Sequence, residues 1–193
     1  MPRDKQFDVD EALDRAKLTF WKRGYDATSM AMLLKAMGIN RGSFYGTFTS
    51  KHAVLLEALR RYDAIDRRRA INEVAEGRPP REAIAAVFEA LIDPNKSLQG
   101  CHGCFLVNMA LELAPKDRAV RAIVGAAFAD IAGFFERLIA MGQQRGEISD
   151  KVDAQSAGQA LLNQLSGLMV MVRSGAPQPM LRAVVRQATQ LPE

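Results

Sequence analysis

Apolar residues recur at every third or fourth position along most of the chain, which is the spacing of one buried face of an α-helix. The pattern predicts a first helix that ends at Arg23, a short helix that begins at Met30 and another that begins after Asn40. Because no alternation typical of strands accompanies it, we expect an all-α fold. The remaining helices are predicted at about 50–75, 81–92, 103–114, 116–145, 153–173 and 180–190.

Caps and chain breaks divide this pattern into two parts. Asp8 is the expected N-cap of the first helix, and Gly77–Pro80 is the strongest break in the chain. We expect an N-terminal three-helix head over residues 1–50 and a helical body over residues 51–193, with residues 51–75 as the connecting helix. The arginines expected on the outer side of that helix are Arg60, Arg61, Arg67, Arg68 and Arg69.

The two short helices between residues 28 and 48 have the layout of a helix-turn-helix, whose second helix enters the major groove of DNA. Gly38 stands where a left-handed C-cap is needed, and Asn40 is a strong N-cap for the second helix. Phe44 and Phe48, four residues apart, hold that helix from behind. The residues left for its outer face are Arg41, Gly42, Ser43, Tyr45, Gly46 and Thr47.

These outer residues suit a DNA groove. Arg41 can bind guanine or a phosphate through its forked guanidinium, and Tyr45 can reach the DNA backbone. Gly42 and Gly46 each destabilise the helix by about 1 kcal/mol relative to alanine, and the expected gain is a close approach of the helix backbone to DNA. An ordinary helical hairpin with an exposed polar face is the alternative interpretation.

The charge distribution favours the DNA interpretation. The chain has 193 residues and a net charge of +4. Residues 1–81 carry 16 Lys and Arg against 11 Asp and Glu, whereas residues 82–193 carry 10 against 11, so the basic excess accompanies the helix-turn-helix. The sequence shows neither an apolar signal segment nor an apolar run long enough to span a membrane, and we expect a cytoplasmic protein.

Two segments of the sequence resemble the DNA-binding signature of the TetR family of bacterial transcriptional regulators. The resemblance covers about residues 8–60, and beyond them only the length and the all-helical pattern agree. The residues that carry it are Ala16, Phe20 and Gly24–Met30 in the first segment, and Gly38–Tyr45 and Phe48–Lys51 in the second.

This resemblance implies specific contacts with a double-stranded DNA operator. Many family members carry a bulky polar residue, often histidine, where this chain has Gly46, so we expect a different operator sequence. The resemblance also implies a homodimer, formed through a four-helix bundle of the helices at 116–145 and 153–173. For DNA, the resemblance places three residues against phosphates: Thr28, Tyr45 and Lys51. It places Arg41, Ser43, Gly46 and Thr47 near base edges, with Ser29 and Gly42 on the same predicted surface.

The sequence Cys101-His102-Gly103-Cys104 places two cysteines and a histidine directly before a predicted helix. The helix N-terminus is expected to lower the pKa of a thiol, and a thiolate there can add to electrophiles, be oxidised or bind a soft metal. Gly103–Asn108 is similar to a segment of some TetR-like regulators of electrophile detoxification, which favours Cys104 as a sensor. Inert packing is the alternative. Because structural zinc needs four ligands, we assign no metal and no cofactor.

A small apolar effector is the other possibility for the body, and it requires a pocket between helices. Asn108 and Glu112 are polar residues on an otherwise apolar helix, and they either orient such a ligand or face solvent. The apolar residues expected to line the pocket are Phe105, Met109, Phe128 and Phe135, with Phe88, Phe134 and Met141 around them.

Together, the residues and the resemblance predict a ligand-responsive transcriptional repressor and not an enzyme. We expect it to bind a palindromic operator as a homodimer, and to leave the operator when a small-molecule or electrophilic effector moves the heads apart. The alternative is a thiol-dependent enzyme in which Cys104 is the nucleophile and His102 is its base.

Overall fold

The computed structural model describes residues 7–93 and 102–190, and the regular structure within these ranges is helical, which confirms the all-α fold. The N-terminal helices are α1 (Val9–Arg23), α2 (Met30–Met37) and α3 (Arg41–Thr47). Next, α4 (Lys51–Arg61) continues through a π-helical segment (Tyr62–Arg67) into α5 (Arg68–Ala75). The later helices are α6 (Pro80–Ile92), α7 (Phe105–Glu112), α8 (Arg118–Gln144), α9 (Ala154–Arg173) and α10 (Gln178–Ala188).

The head forms because its short helices bury a few large apolar side chains. Asp8 caps α1 by accepting hydrogen bonds from two backbone amides of the first turn. Phe20 of α1, Leu33 of α2 and Phe44 of α3 are each fully buried. The first turns of α4 complete this core with Leu55, which is also fully buried. Three helices, α1, α2 and α4, therefore supply the core in which Phe44 anchors α3.

The predicted helix at about 50–75 is present, but a π-helical segment interrupts its α-helical geometry. Two of its arginines turn inward. Arg67 is buried and pairs with Asp63 and, at 2.7 Å, with Asp130 of α8. Arg61 pairs with Asp14 of α1 at 3.0 Å. The expectation that these two arginines lie on the outer side is therefore wrong, because each one reaches a carboxylate of another helix.

The two long helices α8 and α9 pack closely side by side. A Cβ atom at Gly158 of α9 would lie 2.7 Å from the carbonyl oxygen of Ala132 in α8, so this approach requires glycine. The buried faces of the pair are apolar, as the periodicity predicts. Their larger apolar side chains are Val120, Val124, Ile131, Phe135 and Ile139 of α8, and Leu161, Leu165, Leu168 and Met169 of α9.

The apolar core runs from the head into the body without a gap. Trp21 of α1 packs against Tyr62 and Phe105, with ring centroids 4.9 and 6.1 Å away. The division into a head over residues 1–50 and a body over residues 51–193 stays a prediction. Within the described residues, none of the helices has both the length and the apolar content that crossing a bilayer requires.

Candidate nucleic-acid interface

The turn between α2 and α3 has the geometry that its sequence predicts. Ser29 caps α2 by accepting a hydrogen bond from the Met32 amide at 3.2 Å, and Gly38 ends the helix in the left-handed conformation at a φ of 71°. Asn40 then caps α3 by accepting from the Ser43 amide at 2.8 Å. Local side chains therefore fix where α3 begins.

The buried side of α3 determines which residues face solvent. Phe44 is fully buried, and the Phe48 ring lies 5.5 Å from it, centroid to centroid. On the opposite side Tyr45 is 50% exposed, and the guanidinium of Arg41 lies 5.7 Å from its ring centre. None of the outward residues is acidic. They are Arg41, Gly42, Tyr45 and Gly46, which are exposed, and Ser43 and Thr47, which are half-buried.

Thr28 is placed differently from the expectation that it contacts a phosphate. Its side chain is fully buried, and its hydroxyl donates a hydrogen bond to the carbonyl oxygen of Gly24 at 2.6 Å. The predicted phosphate contact is therefore wrong for this conformation, because the hydroxyl already stabilises the turn between α1 and α2.

Lys51 lies in the first turn of α4, at the edge of the head. Its ammonium nitrogen is 4.1 Å from the ring centre of Tyr25. Burial lowers the pKa of Lys51, while the carboxylates of Asp26 and Glu112 act in the opposite direction. Lys51 is half-buried, and its predicted phosphate contact stays a prediction.

Polar contacts that the sequence analysis missed join the head to the body. Glu112 at the end of α7 accepts a hydrogen bond from the Asp26 amide at 2.8 Å, and Lys116 pairs with the Asp26 carboxylate at 2.8 Å. Within the body, His52 of the connecting helix α4 contacts Asp117, the N-cap of α8, at 2.6 Å. Glu112 is half-buried and one of its carboxylate oxygens binds the head, while its predicted contact with an effector stays a prediction. The partners are 65 to 90 residues apart in sequence, so local patterns carry no signal of these contacts.

Cys104 is the N-cap residue of α7, and it is buried. The Tyr62 hydroxyl donates a hydrogen bond to its sulfur at 3.6 Å. Burial raises the pKa of the Cys104 thiol, and the backbone amides of Val107 and Leu106 oppose this only in part. The expected lowering of this pKa is therefore wrong, because removal from water outweighs the helix dipole.

His102 does not form a nucleophile–base pair with this thiol. Burial lowers the pKa of the His102 ring, and the charges of Lys22 and Arg173 lower it further. The described side-chain partner of the Cys104 sulfur is Tyr62. The geometry thus gives no support to the alternative of a thiol-dependent enzyme.

Asn108 holds the segment before α7 in place. It is buried, and its side-chain amide donates to the backbone carbonyl of His102 at 2.9 Å. The indole N–H of Trp21 donates to the same carbonyl at 3.2 Å. The amide of Asn108 therefore has a structural partner within the protein. Cys101 lies outside the described residues.

The apolar residues expected to line an effector pocket pack into the core, except Met141, which is 43% exposed. Phe105, Met109 and Phe135 are fully buried, and Phe128 is half-buried. The Phe135 ring lies 5.9 Å from that of Phe88, centroid to centroid. Clefts of about 280 and 610 Å³ lie elsewhere in the described part of the chain, one against α5 and α6 and one against α6 and α10. Neither cleft is lined by the predicted pocket residues.

Comparisons with known proteins agree with this architecture. A family model described as "Bacterial regulatory proteins, tetR family" matches residues 12–58, and one described as "Tetracyclin repressor-like, C-terminal domain" matches residues 80–188. The HTH-type transcriptional repressor ComR of Escherichia coli (strain K12) is 32% identical over 177 residues, which cover 90% of this chain and 83% of ComR.

Solved structures give the same result. A cysteine mutant of the TetR family transcriptional regulator CifR, complexed with 26bp double-strand operator DNA, is 31% identical with a TM-score of 0.82 over 98% of both chains. A TetR family regulator from Cytophaga hutchinsonii is 20% identical with a TM-score of 0.85, over 93% of this chain and 90% of its own, and so shares the fold.

Proposed function

The chain belongs to the TetR family of bacterial transcriptional regulators, and we propose that it is a repressor that binds a palindromic operator as a homodimer and leaves it in response to an effector. The observation that carries this proposal is the outward face of α3. Phe44 is buried beneath it, while Arg41 and Tyr45 are exposed. Because the face has a guanidinium, hydroxyl groups and no carboxylate, it suits a groove lined by phosphates.

The homodimer is supported by the outer faces of α8 and α9. Gly125 and Ala129 of α8 and Ala160 and Gly167 of α9 are exposed, and a Cβ atom at either glycine would meet nothing within 4 Å. Small residues allow the helices of a second copy to approach closely. A twofold axis then gives the dimer two α3 helices for half-sites about 34 Å apart, one turn of DNA.

The route from an effector to DNA is α7. This helix begins directly after its N-cap Cys104, which lies beside Tyr62, and it ends against the head. A helix of this length is a rigid rod of about 12 Å, so displacement of its first turn also moves its last turn. The effector is therefore either a small molecule that enters beside Cys104 or an electrophile that modifies the thiol.

Selection from a random library of DNA duplexes tests the operator. We expect the protein to enrich one palindromic sequence, and the logarithm of its affinity in mobility-shift assays to fall linearly with the logarithm of salt concentration. A reporter gene placed behind that sequence should be transcribed less when the protein is expressed. If no sequence is enriched, operator binding is wrong; if transcription rises, repression is wrong.

N-ethylmaleimide tests the electrophile. We expect it to release the wild-type protein and the Cys101→Ser variant from the selected duplex, but not the Cys104→Ser variant. Continued release of Cys104→Ser, or retention of the wild type after its thiols are fully labelled, would leave the non-covalent small molecule as the effector class.

A further inference from the structure

The last residue of α7 lies directly on the turn that connects α1 to α2. The Oε1 atom of Glu112 accepts a hydrogen bond from the backbone amide of Asp26 at 2.8 Å. This turn leads to Ser29, the N-cap of α2, and so to the helix-turn-helix. Glu112 thus attaches a body helix to the backbone of the head at its entry point.

The turn is shaped to receive this carboxylate. Gly24 has a φ of +86°, a conformation that favours glycine. A Cβ atom at Gly24 would also lie 2.8 Å from Oε2 of Glu112. The φ value disfavours another residue at this position, and the Cβ distance shows how closely the carboxylate approaches the turn.

Neighbouring charges balance the carboxylate. Lys116, four residues after Glu112, pairs with the Asp26 side chain at 2.8 Å. Glu112 and Asp26 also act on Lys51 in the first turn of α4, where both favour its charged form. Two acidic and two basic side chains therefore meet where α7, the turn and α4 converge.

We propose that Glu112 is a positioning residue for DNA binding: it fixes each head relative to the body, and thereby the separation of the two α3 helices in the dimer. The inference rests on the proposed binding of a palindromic operator by a homodimer. The core of the head, which includes Phe20, Leu33 and Phe44, does not involve Glu112. Loss of its hydrogen bond should therefore leave each head folded but with more freedom relative to the body, so that the separation of the heads is less well fixed.

The consequence is specific to binding of both half-sites at once. When one head is bound, the effective concentration of the second head at its half-site depends on how well its position is fixed. A head with more freedom lowers that effective concentration. Contacts within a single half-site do not change.

Two conservative variants distinguish the effect of the length of the Glu112 side chain from the effect of its charge. Glu112→Asp keeps the charge but shortens the side chain by one methylene, whereas Glu112→Gln keeps the length and an oxygen that accepts from Asp26. Affinities are measured by mobility shift for the duplex that the wild type selects, and for the same duplex with one half-site scrambled. Glu82→Ala is the matched control, because Glu82 is an exposed acidic residue in the first turn of α6.

We expect Glu112→Asp to bind the intact palindrome about tenfold more weakly and the scrambled duplex within about twofold of the wild type. Glu112→Gln and Glu82→Ala should match the wild type on both duplexes. Amide hydrogen exchange at Asp26 should be faster in Glu112→Asp than in Glu112→Gln, which shows that the intended hydrogen bond is the one lost.

Equal losses on both duplexes in Glu112→Asp would overturn the inference, since they would indicate general damage to the head. Unchanged affinity for the palindrome would also overturn it, as would a loss in Glu112→Gln as large as that in Glu112→Asp. Failure of the wild type to select any duplex would instead overturn the proposed function, so the two failures are distinguishable.

Discussion

The sequence singles out two candidate sites, the outward face of α3 and the residues around Cys104. In the structure the first is accessible to solvent, whereas Cys104 is buried. Each lies at the start of a short helix, with Asn40 capping α3 and Cys104 preceding α7. One helix buries a single residue, Phe44, and leaves the others exposed or half-buried. The other buries its first five residues. Two candidate sites with similar positions in the sequence therefore differ in the structure: the polar side chains of α3 are accessible to solvent, and the thiol of Cys104 is not.

The difference shows that a side chain is available for binding or reaction only where its helix is covered on one side. α3 is covered on one side, so its polar face is free to bind a partner. The start of α7 is enclosed by aromatic residues from distant helices, including Trp21 and Tyr62. The thiol is consequently neutral, because burial raises its pKa.

The largest expected effect on this comparison comes from removing Phe44, the buried side chain that anchors α3. We expect Phe44→Ala to lower the free energy of unfolding by about 3–5 kcal/mol, because it leaves a cavity in the core of the head. Urea denaturation measures this change. The neighbouring Tyr45→Ala is the matched control, and it should change the free energy by less than about 0.5 kcal/mol because Tyr45 is half exposed. Similar losses in both variants would show that α3 is not anchored on one side.

A second test addresses the exposed face itself. We expect Arg41→Ala to weaken binding to the selected operator by about 1–3 kcal/mol without lowering the melting temperature, because the side chain is exposed and we propose that it contacts DNA. Mobility-shift titration at fixed salt measures the affinity. Arg186→Ala removes the same charge from an exposed position of α10. If both variants lose the same affinity, the effect of Arg41 is one of net charge and not of contact.

The shielded region is tested by the reactivity of its thiol. In a Cys101→Ser background, we expect N-ethylmaleimide to label Cys104 more than about tenfold more slowly in the folded protein than in urea, because only the thiolate reacts and burial disfavours it. Labelling is followed by mass spectrometry. Comparable rates in both states would contradict the burial of this side chain.

The same raised pKa sets the sign of a pH effect. The folded state holds the Cys104 proton more tightly than the unfolded state does, so this contribution to stability is present below the ordinary pKa of a thiol, about 8.5. It is lost as the pH rises through the pKa of the folded protein. Addition of Cys104→Ser to the Cys101→Ser background should remove this part of the alkaline loss of stability.

Local patterns are sufficient to predict the outward face of α3. The caps Ser29 and Asn40, the left-handed Gly38 and the anchor Phe44 all act within a few residues of themselves, so their roles can be read from spacing. The same reasoning gave the positions of most helices. Thr28 is the exception on this segment, because its partner is the carbonyl of the preceding turn.

Long-range contacts account for what the sequence could not predict. The burial of Cys104 depends on Tyr62, 42 residues away, and Glu112 meets a head residue 86 positions earlier. The inward turn of Arg67 depends on Asp130, 63 positions later. Charge and periodicity do not specify such partners. The run of apolar residues that begins at Phe105 is the feature of the sequence that indicates burial. This burial raises the pKa of Cys104 by more than the helix dipole lowers it.

The smallest expected effects concern the two glycines of α3, and they distinguish a role in folding from a role in DNA binding. A Cβ atom at Gly46 would meet nothing within 4 Å, whereas one at Gly42 would lie 3.3 Å from the capping oxygen of Asn40. We expect Gly46→Ala to raise the free energy of unfolding by about 0.8–1 kcal/mol, and Gly42→Ala to raise it less because it presses on the cap. If the helix backbone approaches DNA at Gly46, the more stable Gly46→Ala protein should bind the operator more weakly. Denaturation and mobility shift measure the two effects on the same sample, and a gain in both would mean that the absence of a side chain at Gly46 serves neither folding nor recognition.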